Sequence, residues 1–226
     1  MSSQAAVAAP TKTPLLKSRL GSFLAVVPLS IWVVNHIWDN LAAFNGAAAW
    51  EASVTGYSNP FAQVMTFIIV MLPLLIHTGW GLIRLFNFKP NNGRYNNYGN
   101  LKYIVQRLSA VGVLFFLGAH IWLAFLHPRL VEGHPEPFSD IAREMHHHMP
   151  TLIVYLLGTM GTAYHLANGL QGFAMYWGIF ASERSMRRFE PVAIGLFLLL
   201  TAMSWGAIYA LYTAGAAFSP TGASPP

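Results

Sequence analysis

The chain of 226 residues contains no cysteine, which removes cysteine-ligated iron–sulfur clusters, thiolate zinc sites, thioether-attached haem and disulfides from its chemistry. Histidine, present nine times, is left as the main candidate metal ligand. Charge is also scarce: 9% of residues are charged and 54% hydrophobic, with a mean hydropathy of +0.45. One soluble core of this size needs far less apolar side chain. No glycine-rich dinucleotide-binding motif stands in a strand–helix setting. The pI near 9.6 arises from charges dispersed among loops, without the basic, aromatic-interleaved face that nucleic acid demands, so no nucleic-acid partner is expected. The composition is that of a polytopic membrane protein.

Hydropathy predicts an all-α bundle of five transmembrane helices, at roughly 21–43, 61–86, 104–127, 151–178 and 190–213. Residues 1–14, rich in Ala, Ser, Thr and Pro, lack the apolar centre and cleavage site of a signal peptide and read as a disordered tail. Residues 15–213 then form the transmembrane domain and 214–226 a second flexible tail. Eleven basic residues fall on one side of this topology: Lys12, Lys17, Arg19, Arg84, Lys89, Arg94, Lys102, Arg107, Arg184, Arg187 and Arg188. The other side receives Arg129 and Arg143 with most of the acids: Asp39, Glu51, Glu132, Glu136, Asp140 and Glu144. The positive-inside rule places the N-terminus in the cytoplasm and the C-terminus outside a bacterial inner membrane.

Four histidines, His36, His77, His120 and His165, stand one apiece in the first four spans. Ionisable side chains inside a bilayer are costly and usually mark function. His36 follows Arg19 by 17 residues and His120 follows Arg107 by 13; at about 1.5 Å per residue both lie roughly 20–25 Å above the inner end. His77 follows Pro60 by 17 residues and His165 follows Pro150 by 15, which on the inward-running helices puts both near the inner leaflet. Equal depth pairs His36 with His120 and His77 with His165, each pair able to bridge one porphyrin, so two stacked haems are expected. Gly161 and Gly169 flank His165 at four residues and Gly81 follows His77 at four, leaving small residues where a flat macrocycle approaches. The competing reading of such glycines is ordinary close packing of transmembrane helices. Iron with both axial positions filled has no vacant site, which restricts it to one-electron transfer.

Several motifs stand in order along the chain: Ser22 and Pro28 ahead of Asn35-His36, then Pro73, His77 and Gly81, then Gln106-Arg107 leading to His120. The fourth span adds His165-Leu166-Ala167-Asn168-Gly169-Leu170, continuing to Trp177-Gly178. In these, over about residues 15 to 213, the chain resembles the cytochrome b subunit of succinate:quinone oxidoreductases and quinol:fumarate reductases, the single-chain, five-helix, two-haem type.

The resemblance implies two b haems, a proximal one on His77 and His165 and a distal one on His36 and His120, in the same pairs that depth gives. It implies partners as well: a flavoprotein subunit with FAD and an iron–sulfur subunit, their cofactors held on those chains and not on this one. Docking would use the cytoplasmic loops around Arg94 and Arg184, whose charge topology alone also explains. Ser22 and Arg107 are candidates for the proximal propionates, against a helix N-cap for Ser22 and an interfacial anchor for Arg107. Asn40 or His127 are candidates for the distal propionates, and Pro73 is read as a helix kink. The implied electron acceptor is a quinone dissolved in the lipid bilayer, menaquinone favoured, with Glu51 as the candidate for proton exchange, against a merely solvated loop acid. Some fumarate-reducing relatives carry a Glu just before the fourth-span histidine, proposed to conduct protons; this chain has Ala163 and Tyr164 there, which speaks against that route. The run His146-His147-His148, near Glu144 and His134, reads as a solvated loop, because adjacent histidines diverge on a helix. The implied function is the membrane anchor of a succinate dehydrogenase. The alternatives are a quinol:fumarate reductase anchor running in reverse, another membrane cytochrome b anchor, and a haem-free proton-coupled transporter.

Overall fold

The structure, a computed structural model, describes residues 15–56, 59–87, 89, 93, 97–180 and 182–220. The 1–14 tail, the loop position Arg94 and residues 221–226 lie outside the described residues. Described secondary structure is entirely helical.

The first column begins with α1 (Leu15–Leu24), widens into a π-helical turn at Ala25–Ser30, and continues as α2 (Ile31–Asn40) and a 3-10 turn to Asn45. Pro28 sits in the wide turn. It has no N–H to give, so the local ladder shifts register, and Ser30 Oγ donates to the Ala25 carbonyl at 2.9 Å. Gly46, at φ 91°, turns the chain into the short α3 (Ala47–Trp50). The second column opens with α4 (Pro60–Thr66), capped by Asn59 Oδ1, which accepts from the Phe61 amide at 2.7 Å. A second wide turn, Phe67–Met71, leads into α5 (Leu72–Phe86) immediately before Pro73, the expected kink site.

The third column is α6 (Tyr98–Ile121) prolonged by wide turns to Glu132. After left-handed Gly133, a short helix, α7 (Phe138–His147), lies across one end of the bundle. The fourth column is α8 (Met149–Tyr176) and the fifth α9 (Glu183–Gly215), whose start is fixed by a reciprocal Ser182–Ser185 capping box. Helices α6 and α9 begin six or seven residues before their expected spans. Charged residues mark where the lipid ends, whereas a helix continues freely through headgroups into water.

Four stretches, Arg19–Asn45, Pro60–Phe86, Tyr98–Glu132 and Glu183–Gly215, are long and apolar enough to cross a bilayer, with mean hydropathies of 1.7 to 2.0. Helix α8 has the length, 28 residues, but Thr, Tyr, His, Asn, Gln and several glycines dilute its apolar run. Those residues serve the interior. Thr151, Tyr155, Gly158, Ala163, Ala167, Gln171 and Ala174 form a buried stripe at helical spacing. Large side chains such as Ile31, Phe61, Phe115 and Leu198 point outward, as they must where the solvent is hydrocarbon.

The densest packing lies at the end bearing α3 and α7, where Trp50, Phe116, Phe138, Ile141, Met145, Tyr155 and Leu211 form one cluster. This corrects the expected loop at 146–148, since the helix runs to His147, while His147 and His148 remain exposed to solvent. Phe138, Ile141, Ala142 and Met145 recur at helical spacing and are buried, so the segment is an amphipathic helix packed on α9. Gly215 permits the contact, since a Cβ there would stand 2.1 Å from the Ala142 carbonyl oxygen. The described chain continues to Pro220, with Phe218 packed against the same cluster, so the start of the second expected tail is structured. The opposite, basic end is tied by a polar network. Lys102 Nζ meets Glu190 Oε2 at 2.7 Å and also donates to Gln171 Oε1; Tyr98 Oη donates to Glu190 Oε1 at 2.7 Å. It pins α6, α8 and α9 together where Gln171 is 6% exposed.

Candidate haem-binding site

Two histidine pairs face one another across the bundle. The rings of His36 on α2 and His120 on α6 have centroids 5.9 Å apart, and those of His77 on α5 and His165 on α8 are 6.3 Å apart. An iron held between two imidazole nitrogens at about 2 Å each would put the ring centroids roughly 6 Å apart. Both separations match that requirement. The first pair lies toward the α7 end and the second toward the basic end.

In three of the four, His77, His120 and His165, Nδ1 is engaged by a neighbour, which leaves Nε2 for a ligand. His77 Nδ1 lies 3.0 Å from the Gly21 carbonyl oxygen, a partner that can only accept, so this nitrogen carries the proton. His120 Nδ1 meets Tyr155 Oη at 3.1 Å. His165 Nδ1 is 3.3 Å from Ser109 Oγ and 3.2 Å from Gln106 Nε2. The Gln106 amide is itself fixed, donating to the His165 carbonyl at 3.1 Å and accepting from Asn168 Nδ2 at 2.8 Å. His36 is held by its ring, stacked on Trp32 at 4.7 Å and 8°.

The glycines divide into two kinds. Gly81 has nothing within 4 Å of the position its Cβ would take, and Gly161 only Val113 at 3.9 Å, so space lies beside both. At Gly158 a Cβ would fall 2.2 Å from the Phe116 ring, and at Gly169 3.4 Å from Gln106 Nε2; these two serve helix packing.

At the basic end the Nε atoms of Arg19 and Arg107 are buried without a hydrogen-bond partner. Arg19 lies 5.5 Å from the Trp177 ring, Arg84 4.3 Å from the Trp80 ring and Arg107 4.7 Å from the Tyr103 ring. A buried guanidinium Nε without an acceptor, as at Arg19 and Arg107, fits a carboxylate-bearing ligand such as a haem propionate. Ser22 stands inside α1, not at its N-cap; it donates to the Arg19 carbonyl at 2.8 Å and accepts from Trp177 Nε1 at 3.2 Å. The structure thus brings Arg19 and Trp177 to Ser22, although the sequence showed Arg19 only as a topological charge. Toward the α7 end, both amide atoms of Asn40 are engaged, with the His36 carbonyl at 2.8 Å and Trp50 Nε1 at 3.1 Å. His127 pairs with Glu132 at 3.4 Å.

Glu51 is brought to the first turn of α7, where its Oε1 accepts the Phe138 amide at 2.9 Å. It caps a helix that has no side-chain cap of its own. The three adjacent histidines diverge: His146 Nδ1 to the Tyr212 carbonyl at 2.8 Å, His147 Nε2 to the Phe218 carbonyl at 2.9 Å, His148 Nδ1 to Thr151 Oγ1 at 2.6 Å. Among the described residues, no group of three or more His, Cys, Asp or Glu is placed to hold a metal ion.

Glu136, beside α7 and 8% exposed, is the acid whose titration the structure alters most clearly outside the spans. Burial, reinforced by Asp140 and Glu132 and opposed by His134 and Arg143, raises its carboxyl from 4.5 to about 7. Between those values the folded chain keeps a proton that the unfolded chain releases, so this contribution to stability falls as pH rises from 4.5 to 7. Hydrogen-exchange protection over residues 133–147, taken relative to the base-catalysed intrinsic rate at each pH, is expected to be weaker at pH 8 than at pH 5, and Glu136→Gln to flatten the difference. Equal protection factors at both values in the unaltered protein would contradict this account.

Residues 86–204 match the pattern of the succinate dehydrogenase/fumarate reductase transmembrane subunit family. Over 194 residues the chain is 30% identical to the succinate dehydrogenase cytochrome b558 subunit of Bacillus subtilis (strain 168), which covers 85% of this chain and 94% of that one. With more than half of its length matched and nearly all of that relative spanned, the chain belongs to the family of succinate dehydrogenase/fumarate reductase transmembrane subunits.

Proposed function

We propose that this chain is the membrane anchor and cytochrome b of a succinate dehydrogenase, carrying electrons from an iron–sulfur subunit to quinone in the bilayer. The observation that carries the reading is the pair of facing imidazole couples, 5.9 and 6.3 Å between centroids. His77 and His165 would hold one b haem and His36 and His120 a second. A haem held between two histidines would supply one-electron transfer. The chain's own residues do the rest. Gly21, Ser109 and Tyr155 orient the imidazoles, and Arg19 and Arg107 offer buried charge to propionates at the basic end.

In this reading all five columns cross the bacterial inner membrane, with the basic end in the cytoplasm. Helix α8 crosses despite its lower hydropathy because its polar residues face the interior. The flavoprotein and iron–sulfur subunits bind at the basic end, where Arg184 and Arg188 line a shallow depression with Phe180 and Phe189. Succinate is oxidised on those partners and not on this chain. Menaquinone is the favoured quinone. The dithionite-reduced protein is expected to show a b-type α band, with two haems per chain in an alkaline pyridine assay. Absence of any such band would sink every cytochrome reading and return the histidines to a proton-relay role.

A further inference from the structure

The first column contains one acid, Asp39, one helical turn beyond His36. Its carboxylate Oδ2 accepts from Asn35 Nδ2 at 2.7 Å, and Asn35 is exposed. Around the pair, Ile31 is 67% exposed and Trp38 66%, so this stretch of α2 faces lipid rather than the bundle. At about 1.5 Å per residue the pair lies roughly 24–30 Å along the column from Arg19, at its outer end, where lipid gives way to headgroups and water can reach the carboxylate. At about 100° per residue, Asn35 and Asp39 lie roughly 100° and 60° from His36 on the same side of the helix. That places them along the seam by which the lipid phase approaches the His36–His120 pair.

Glu51, the other acid offered for this role, has an oxygen occupied by the Phe138 amide. The geometry points to the Asn35–Asp39 pair as the site where the quinone headgroup docks from the lipid and exchanges protons, an inference that rests on the electron-transfer reading above. A quinone reaches a protein laterally through hydrocarbon and presents two carbonyl oxygens, so it needs a donor on a lipid-facing surface. Quinone reduction adds two electrons, supplied by succinate oxidation in the complex, and two protons, one to each carbonyl oxygen. Protonated Asp39 gives these protons one at a time and is recharged from water beyond the nearby end of α2. Asn35 donates to the headgroup and orients the carboxyl. Reversal of the same steps oxidises quinol.

The test uses the whole complex in nanodiscs with a short-tailed naphthoquinone, and a photoactivatable azido form of that quinone on the unaltered protein. Asp39→Asn is expected to lower quinone turnover at least ~10-fold, as loss of an acid–base group does; Asn35→Leu is expected mainly to raise KM. Both variants should keep the two-haem spectrum, and the photolabel should fall within residues 31–42. Wild-type quinone kinetics in both variants, or a label lying wholly elsewhere, would overturn the assignment. Labelling of the unaltered protein decides the matter however the variants fold. Should the unaltered complex contain no haem, the electron-transfer reading fails instead.

Discussion

His77→Ala protein is expected to carry one haem instead of two, with the His36–His120 haem retained. His77 has His165 opposite at 6.3 Å and its Nδ1 anchored on the Gly21 carbonyl at 3.0 Å. Removing it would take away one ligand of the proposed haem and leave the Gly21 carbonyl without its ring partner. Loss of an outer-sphere partner alone typically costs 10–100-fold in metal affinity, and loss of the ligand itself costs more. The second pair shares none of these contacts: it is held by Trp32, Phe116 and Tyr155. Pyridine haemochrome and low-temperature spectra should therefore lose one component only, and His36→Ala should lose the other. Simultaneous loss of both haems with helicity intact would refute the pairing.

A second large effect is expected from Gly158→Leu. The Cβ would stand 2.2 Å from Phe116 Cγ and Cδ2, and Phe116 is buried, stacked against His120 at 5.6 Å and set edge-on to Tyr155 at 5.5 Å. Phe116 cannot yield without displacing His120 or the tyrosine that orients it. Overpacking of this kind costs about 1–3 kcal/mol before the longer side chain is counted. The variant should melt earlier and lose or shift the haem of the His36–His120 pair while the other remains. Gly206→Ala, whose new Cβ would meet Leu41 and Phe44 at an ordinary 3.7 Å, serves as the control and should change neither property. Equal effects from both substitutions would show that helix content, not the Phe116 contact, is responsible.

Several features were legible because they follow from one-dimensional rules. Hydropathy locates the apolar part of each column, though α6 and α9 start six or seven residues earlier, and residue counts from the charged ends place the four histidines at two depths. Tertiary contact then couples those same histidines, His36 with His120 and His77 with His165. Helix α7 is not among these features, although Phe138, Ile141, Ala142 and Met145 have helical spacing. The histidine run and the acids around it drew the reading toward a loop. Its burial on α9 depends on Gly215, 73 positions after Ala142, and no local pattern reports that.

Composition, span length and charge asymmetry settle that this is a helical membrane chain, because lipid penalises exposed backbone and charge wherever they occur along the sequence. Partners of the histidine nitrogens, the unpaired arginines and the attachment of Glu51 to α7 were decided only by folding. Each joins side chains or carbonyls tens of residues apart, Gly21 with His77 and Glu51 with Phe138 among them. Hydrogen bonds act over about 3 Å, so which groups meet depends on how the helices are rotated and stacked, not on their order in the chain.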